Sequence, residues 1–365
     1  MEKNSLSFCC KLIEDFSVEY NLNIKVSTEN DEIILPFAVG AERIVYLSKK
    51  CYALIMLNVL GEVQSYIELL LAIHMAQNDK YDYLDELLDN YSLNFKINNK
   101  SQIQKSVFVQ MFVISMHELA HCLFYKDQKT KNIYYKFADE ILSLFDFENE
   151  DEDDAISLNE LITSSVDDTS TSDKLIDYIE QHVDFSNETL NNSMGKSIVN
   201  TNQRLPKKEE YAADIFAIEM LYETFSKLNL INDHNIQSVF ETAFDTFFFL
   251  SNYNNIEDKI DLGHNKRDVT LRPSVRFDSI RWMVVYAALC NISKGKFNID
   301  DPLKEKIIPY SKKGYEYILK LADKKYDKYL EITSRGSGIR RNESLYKEAS
   351  TKISSLIDII TSKLQ

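Results

Sequence analysis

Glycine and proline are scarce in this chain, which has 8 glycines and 5 prolines among 365 residues. Few positions can therefore form tight turns or break helices, which argues against an all-β architecture. Hydrophobic residues make up 44% of the chain and charged residues 27%, as in a globular protein. This length and composition predict a mostly helical protein with one large domain or two ordinary ones.

Cysteine is also rare, and its five positions form an odd, scattered set without a CxxC pair: Cys9, Cys10, Cys51, Cys122 and Cys290. Disulfide frameworks and thiolate metal sites usually show regular, closely spaced pairs. We therefore expect these cysteines to be reduced residues of the core.

The sequence has no basic excess and no long uncharged apolar run, and its first residues do not predict a secretory leader. Its formal charge of −15 argues against a nucleic-acid partner, because phosphate recognition needs a basic face. A membrane span needs a run of about 18 apolar residues, and we find no such run in the sequence, so we expect no membrane span. The first residues, MEKNSLSFCCKLIEDF, are too acidic for a signal peptide. We expect a cytoplasmic protein.

Residues 146–188 carry most of the negative charge, with fifteen acidic residues and one basic residue, Lys174. Such a segment repels itself and is typical of a solvated, partly disordered insertion. An inhibitory flap over a cationic site is the alternative. The sequence thus divides into residues 1–145, an acidic insertion at 146–205, residues 206–300 and a helical C-terminal extension at 301–365.

Helical spacing of apolar residues dominates the rest of the chain. It predicts helices over 7–20, 50–78, 80–92, 101–126, 207–228, 235–253 and 276–293, with two more after residue 302. Two stretches rich in β-branched residues, 22–28 and 31–48, predict a small sheet that is interrupted at Gly40. The expected fold is α+β, mostly α-helical.

The stretch ISMHELAHCLF contains two histidines four residues apart. Positions four apart lie on one face of a helix, so His117 and His121 can both bind one tetrahedral ion. Glu118 directly follows the first histidine and could take a proton from a metal-bound water without becoming a ligand. This spacing is typical of a metal-activated hydrolase.

Two histidines buried by chance in a core helix would be the alternative. Between Phe108 and Phe124, however, Glu118 is the only charged residue apart from the histidines. A carboxylate and two imidazoles are costly in an apolar helix unless something compensates them, and a divalent ion compensates all three. The surroundings therefore favour a metal site.

A catalytic zinc site needs a third protein ligand and one open position. Glu210 begins the stretch EYAAD, whose two alanines permit close helix packing. Asp214, one turn later, is placed to accept the outer N–H of a ligating histidine. Alone, this stretch would be a solvated helix face, but together with HELAH it predicts Glu210 as the third ligand.

HELAH together with EYAAD resembles the gluzincin metallopeptidases, in particular the group with an ExxAD second motif. PFAVGAERIVYLSKKCYAL, residues 36–54, is similar to the family strand that precedes the active-site helix and binds an extended substrate. The resemblance implies a zincin-like metallopeptidase core, split between residues 1–145 and 206–300, with a small sheet and additional helices. It implies Zn²⁺ held by His117, His121 and Glu210, with Glu118 as the base and Asp214 beside the ligands.

Many members of that family have membrane helices, which we do not expect in this sequence, so a soluble relative, such as the phage-exclusion type of bacterial protease, is one alternative. TLRPSVRFDSIRW is similar to a family segment in which a His-Pro pair precedes an arginine that stabilises the transition state. Arg272 occupies the place of that histidine. The candidate donors to the oxyanion are therefore His264 and Arg272, with Arg276 and Tyr211 as further ones.

These observations predict a soluble zinc endopeptidase that hydrolyses an intracellular protein or peptide, with Glu118 as general base. Residues 32–48 would offer the sheet edge to which an extended substrate adds. A non-enzymatic or regulatory interaction protein on a metallopeptidase-like scaffold is the alternative. Glu118 argues against it, because a structural ion needs no base there. A regulatory peptidase that cuts a repressor or toxin target is a third hypothesis.

Overall fold

The computed structural model describes residues 5–28, 37–39, 44–77, 81–91, 93–143, 204–261, 273–294 and 343–364, with residue 92 among the gaps. The acidic insertion predicted around 146–188 and the first of the two helices predicted after residue 302 lie outside these described residues.

The described residues are mostly helical and include one small sheet, which confirms the predicted α+β, mostly α-helical class. In chain order the elements are α1 (Ser5–Glu19), β1 (Lys25–Ser27), β2 (Phe37–Val39), β3 (Ile44–Tyr46), α2 (Lys49–Leu60), α3 (Val63–Gln77), α4 (Tyr81–Asn90), α5 (Lys100–Lys126), α6 (Gln128–Ser143), α7 (Arg204–Lys227), α8 (Ile236–Asp261), α9 (Pro273–Ser293) and α10 (Glu343–Ser362).

The chain divides into two compact units, neither of which is continuous in sequence. The first contains residues 1–126, 252–266 and 309–365, and the second contains residues 127–251 and 267–308. This division follows packing, whereas the boundaries predicted at 145, 205 and 300 follow composition and stay a prediction.

Helix α5 is the central element of the first unit, where it packs against α1, α2, β2 and β3. Its 27 residues include neither glycine nor proline, so nothing in the backbone interrupts it. By length and composition alone, α5 could cross a membrane, although 94% of its most apolar window is buried inside the protein. Its apolar character is accounted for by this burial in the core.

The sheet of the first unit has the strand order β1-β3-β2. Strand β1 pairs with β3 in parallel, with Lys25 opposite Ile44, and β2 pairs with β3 in antiparallel fashion. Strand β3 is therefore an inner strand, which corrects the prediction that all of 32–48 forms an edge. Within the described part of that segment, only β2 lies at an edge.

A single helix predicted over 50–78 is wrong, because the structure has two helices that meet at Gly61. Gly61 adopts a left-handed conformation with a φ of 71°, and its N–H donates to the carbonyl of Asn58. The N–H of Glu62 donates to the carbonyl of Leu57, which completes the cap that ends α2. At the other end of α2, the Ser48 hydroxyl accepts hydrogen bonds from the N–H groups of Lys50 and Cys51.

The second unit contains α6, α7 and α9 and most of α8, with α7 packed against both α6 and α9. Helix α6 was not predicted, although Asp127 gives a local signal for its start. The Asp127 carboxylate accepts hydrogen bonds from the N–H groups of Lys129 and Thr130, as an N-cap does. The core of this unit includes the buried rings of Phe216, Phe240 and Phe247.

Candidate metal centre

Helix α5 holds the two histidines near its C-terminal end and in direct contact with each other. The Nε2 atoms of His117 and His121 are 3.2 Å apart, and their ring planes are inclined by 81°. His117 and Glu118 are buried, whereas His121 is partly exposed. The pair is therefore open on the side of His121 and enclosed on the side of His117.

A separation of 3.2 Å between the two nitrogens suits a shared tetrahedral ion. Two nitrogens at 2.0–2.1 Å from zinc, at the tetrahedral angle, are about 3.3 Å apart. The same separation also suits a hydrogen bond in which one ring nitrogen donates and the other accepts. The separation of the two nitrogens is thus compatible with a shared metal ion and with a hydrogen bond between the rings.

The surroundings of Glu118 include two thiols, those of Cys51 and Cys122. Burial raises the pKa of Cys51 far above its usual range, and the nearby Glu118 carboxylate raises it further. Burial and the same carboxylate raise the pKa of Cys122 to about 12. Burial therefore favours the protonated form of both thiols in the metal-free protein.

Cys51 also shows which element lies beside Glu118, because it belongs to the first turn of α2. The first turn of α2 therefore lies near the carboxylate of Glu118.

The small sheet adjoins the histidine-bearing turn of α5. The Cys122 thiol, one residue after His121, donates a weak hydrogen bond to the carbonyl of Ile44 in β3 at 4.0 Å. Strands β2 and β3 both pack against α5.

Glu210 lies on α7, and its neighbour Glu209 ties the first turns of that helix to α6. The Glu209 carboxylate accepts hydrogen bonds from Lys131 at 2.6 Å and from the Tyr135 hydroxyl at 2.9 Å. Burial opposes the charge of Lys131, but the hydrogen bonds to Glu209 and Tyr135 outweigh it and raise the pKa of Lys131. The ion pair between Lys131 and Glu209 is partly exposed, with 21% and 29% of the two side chains accessible.

Asp214, one turn after Glu210, lies fully inside the second unit and forms an ion pair with Arg281 of α9. The Nε of Arg281 donates to Oδ2 at 2.6 Å, and its Nη2 donates to Oδ1 at 2.7 Å. Each carboxylate oxygen can accept a further hydrogen bond. The role of Asp214 beside a ligating histidine therefore stays a prediction.

His117, His121 and Glu210 are the three predicted metal ligands, and their role as ligands stays a prediction. One ring nitrogen of His117, one of His121 and one carboxylate oxygen of Glu210 all lie within 4.8 Å of one another, and such a group could hold a metal ion. The predicted oxyanion donors His264 and Arg272 lie outside the described residues. Tyr211 is a buried residue of α7, next to Glu210.

Arg281 was not predicted, although the sequence contains a signal for it. It is the only charged residue in the apolar stretch IRWMVVYAALCNI, residues 280–292, as Asp214 is in YAADIFAI, residues 211–218. A lone charge in a buried helix needs a partner, so two such helices of opposite charge can be paired from sequence. Cys51, which lies near Glu118, has no comparable signal.

Comparisons of the chain with protein-family models, with curated proteins and with solved structures found no match.

Proposed function

We propose that this protein is a zinc-dependent peptidase with a zincin-like core. The observation that carries the proposal is the pair of histidine nitrogens 3.2 Å apart, directly beside Glu118, on a buried helix. The nearby carboxylate oxygen of Glu210 supports a third ligand. Two imidazoles and one carboxylate are the donor set of many catalytic zinc sites.

Zinc fits these residues better than the hard cations do. Calcium and magnesium prefer all-oxygen sites, whereas imidazole suits zinc and its neighbours in the transition series. Three protein ligands also leave one position of a tetrahedral ion for water or substrate.

Bound zinc would supply Lewis-acid polarisation of a water molecule and of the scissile carbonyl. Glu118 accepts the proton of that water and then delivers it to the amine that leaves, so that it acts first as a base and then as an acid.

The substrate in this proposal is an intracellular protein or peptide in extended conformation. It adds to the sheet edge at β2, and backbone hydrogen bonds provide affinity without strong sequence preference. A donor to the developing oxyanion is still required, and His264 and Arg272 are the proposed candidates. The cytoplasm is the proposed compartment.

The test combines metal analysis with a search for cleaved proteins. Purified wild type should contain about one zinc ion per chain, and His117→Ala and His121→Ala should lose it. His234→Ala is the matched control, because His234 is exposed and lies outside the ligand group. Zinc retained at the wild-type level in the double variant His117→Ala/His121→Ala would remove the site from α5.

Glu118→Gln separates a catalytic site from a structural one. An amide cannot accept the proton of the water, so zinc and fold should be kept while new protein N-termini disappear from cells that express the variant. Glu140→Gln, on the exposed face of α6, is the control and should cleave as wild type does. Equal cleavage by the Glu118→Gln variant would refute the proposed base.

A further inference from the structure

The ion pair of Asp214 and Arg281 lies one helical turn from Glu210. Residues four apart share one face of a helix, so Asp214 and Glu210 project from the same side of α7. The pair is deeply buried, with 0% of the Asp214 side chain and 6% of the Arg281 side chain accessible. Few charged pairs in a protein core are this completely removed from water.

The geometry of the pair fixes orientation as well as distance. Two parallel hydrogen bonds, at 2.6 Å and 2.7 Å, hold the guanidinium in the plane of the carboxylate. The guanidinium also lies over the ring of Phe247, 5.4 Å from its centroid, and Phe247 belongs to α8. Helices α7, α8 and α9 are thus joined at one point, next to the turn that carries Glu210.

We propose that Arg281 is a positioning residue for the metal-binding carboxylate of Glu210. By holding Asp214 in a fixed plane, it sets the rotation of α7 about its axis and so the place from which the Glu210 side chain extends. A ligand must be held to within about 0.5 Å, which a flexible glutamate achieves only on a fixed backbone. The inference rests on the proposed function, which makes Glu210 a ligand.

The polar contacts that join α7 to α6 are less buried than this pair. The ion pairs of Lys131 with Glu209 and of Lys208 with Asp139 are both partly exposed, so water and salt screen their attraction. The Tyr134 hydroxyl also donates to Glu219 in a partly buried contact. The pair of Asp214 and Arg281 is shielded from water, so it is the contact that holds the face of α7 carrying Glu210 most firmly.

The experiment measures metal binding in the full-length chain. Zinc affinity is determined by competition with a chelator, and the ligand geometry by the absorption spectrum of the cobalt-substituted protein. Arg281→Lys keeps the charge but loses the two parallel bonds, and Asp214→Asn/Arg281→Gln removes both charges together. Both variants should lower zinc affinity by about 10- to 100-fold and change the cobalt spectrum. If the double variant does not fold, the zinc affinity and cobalt spectrum of Arg281→Lys alone test the inference.

Phe225→Leu is the matched control for a loss of stability alone. Phe225 is a buried residue of the same helix, about 22 Å from Glu210 along the helix axis. Its substitution should lower the unfolding temperature and leave zinc affinity and the cobalt spectrum unchanged. Arg281 variants that behave like this control, with lower stability and wild-type metal binding, would overturn the inference.

The same measurements separate this inference from the proposed function. A wild type that binds no zinc, or a Glu210→Gln variant that binds it as tightly as wild type, removes Glu210 as a ligand and the positioning role with it. A wild type that binds zinc through Glu210 while the Arg281 variants bind equally well overturns the positioning role alone.

Discussion

Glu209 and Glu210 are adjacent glutamates of α7 with different surroundings. Glu209 is paired with Lys131 and Tyr135, whereas a carboxylate oxygen of Glu210 lies near the two histidines. We predict that Glu210→Gln greatly weakens zinc binding, because a neutral amide is a poor ligand for the ion. Zinc affinity measured with a competing chelator would check this.

Glu209→Gln is the matched control for that prediction. It should keep zinc affinity and lower the free energy of unfolding by about 0.2–1 kcal/mol, the usual value of a partly exposed ion pair. If zinc were lost in Glu209→Gln and kept in Glu210→Gln, the third ligand would be Glu209 and the assignment of Glu210 would be wrong.

Cys9 and Cys10 form a second adjacent pair whose reactivities should differ. Burial, first of all, raises the pKa of the Cys9 thiol to about 12, against a hydrogen bond with Ser115 that lowers it. Burial and Glu14 also raise the pKa of Cys10, but Cys10 is partly accessible. Because only the thiolate reacts, alkylation should be slow at pH 8, should accelerate as the pH rises, and should modify Cys10 before Cys9.

Peptide mapping by mass spectrometry after timed alkylation measures both rates. In denaturant the two neighbours should react at similar rates, which provides the control. Faster alkylation of Cys9 than of Cys10 in the folded protein would show that the N-terminal helix α1 does not bury Cys9 as described.

At the residue scale, the sequence predicts a functional group when its partners are close along the chain. His117, Glu118 and His121 lie within five residues of one helix, so helical periodicity alone brings their side chains together. The partner of Asp214 is 67 residues away, at Arg281. The lone charges on α7 and α9 indicate that these two helices pair, but no local pattern fixes which face of α9 meets α7, so the geometry of the pair required the structure.

At the element scale, the helix predicted over 101–126 agrees with α5 to within one residue at each end. Its sequence contains no glycine or proline that would end the helix earlier. The break between α2 and α3 was missed because one glycine in a helical pattern is often tolerated. The parallel pairing of β1 with β3 was also not predicted. Strands of three residues carry too little periodicity to define their partners.

Gly61 allows a direct test of why α2 ends where it does. A Cβ at this position would meet no atom within 4 Å, so Gly61→Ala introduces no steric clash with the rest of the protein. Its φ of 71° is nevertheless unfavourable for alanine, and the free energy of unfolding should fall by about 1–2 kcal/mol. Chemical denaturation of both proteins gives this difference.

Gly61→Asn is the control, because asparagine tolerates the left-handed conformation better than alanine does. It should lose less stability than Gly61→Ala. If the alanine and asparagine variants lost equal stability, a cause other than backbone conformation would have to end the helix.

At the scale of the whole molecule, helix α10 belongs to the first unit although it is far from the other helices of that unit in sequence. Helix α10 packs against α2, α3 and α4, more than 250 residues after those helices begin. Lys363 donates to the carbonyl of Leu93, and Gln104 of α5 donates to the carbonyl of Leu364. The sequence predicted helices here but gave no partner for them, because amphipathic spacing identifies a buried face without identifying what covers it.

The last prediction tests whether α10 is an integral part of the core of the first unit. Ile357 and Ile359 are chemically identical neighbours on this helix, but Ile357 is 3% exposed and Ile359 is 49% exposed. Ile357→Ala should lower the free energy of unfolding by about 2–5 kcal/mol, because it leaves a cavity between packed helices. Ile359→Ala should change it by about 0.5 kcal/mol or less, as surface substitutions usually do. Because α10 packs on α2, and α2 packs on the histidine-bearing α5, zinc should in turn protect the Ile357→Ala variant against thermal unfolding. If the two alanine variants lost equal free energy of unfolding, α10 would not contribute to the core of the first unit.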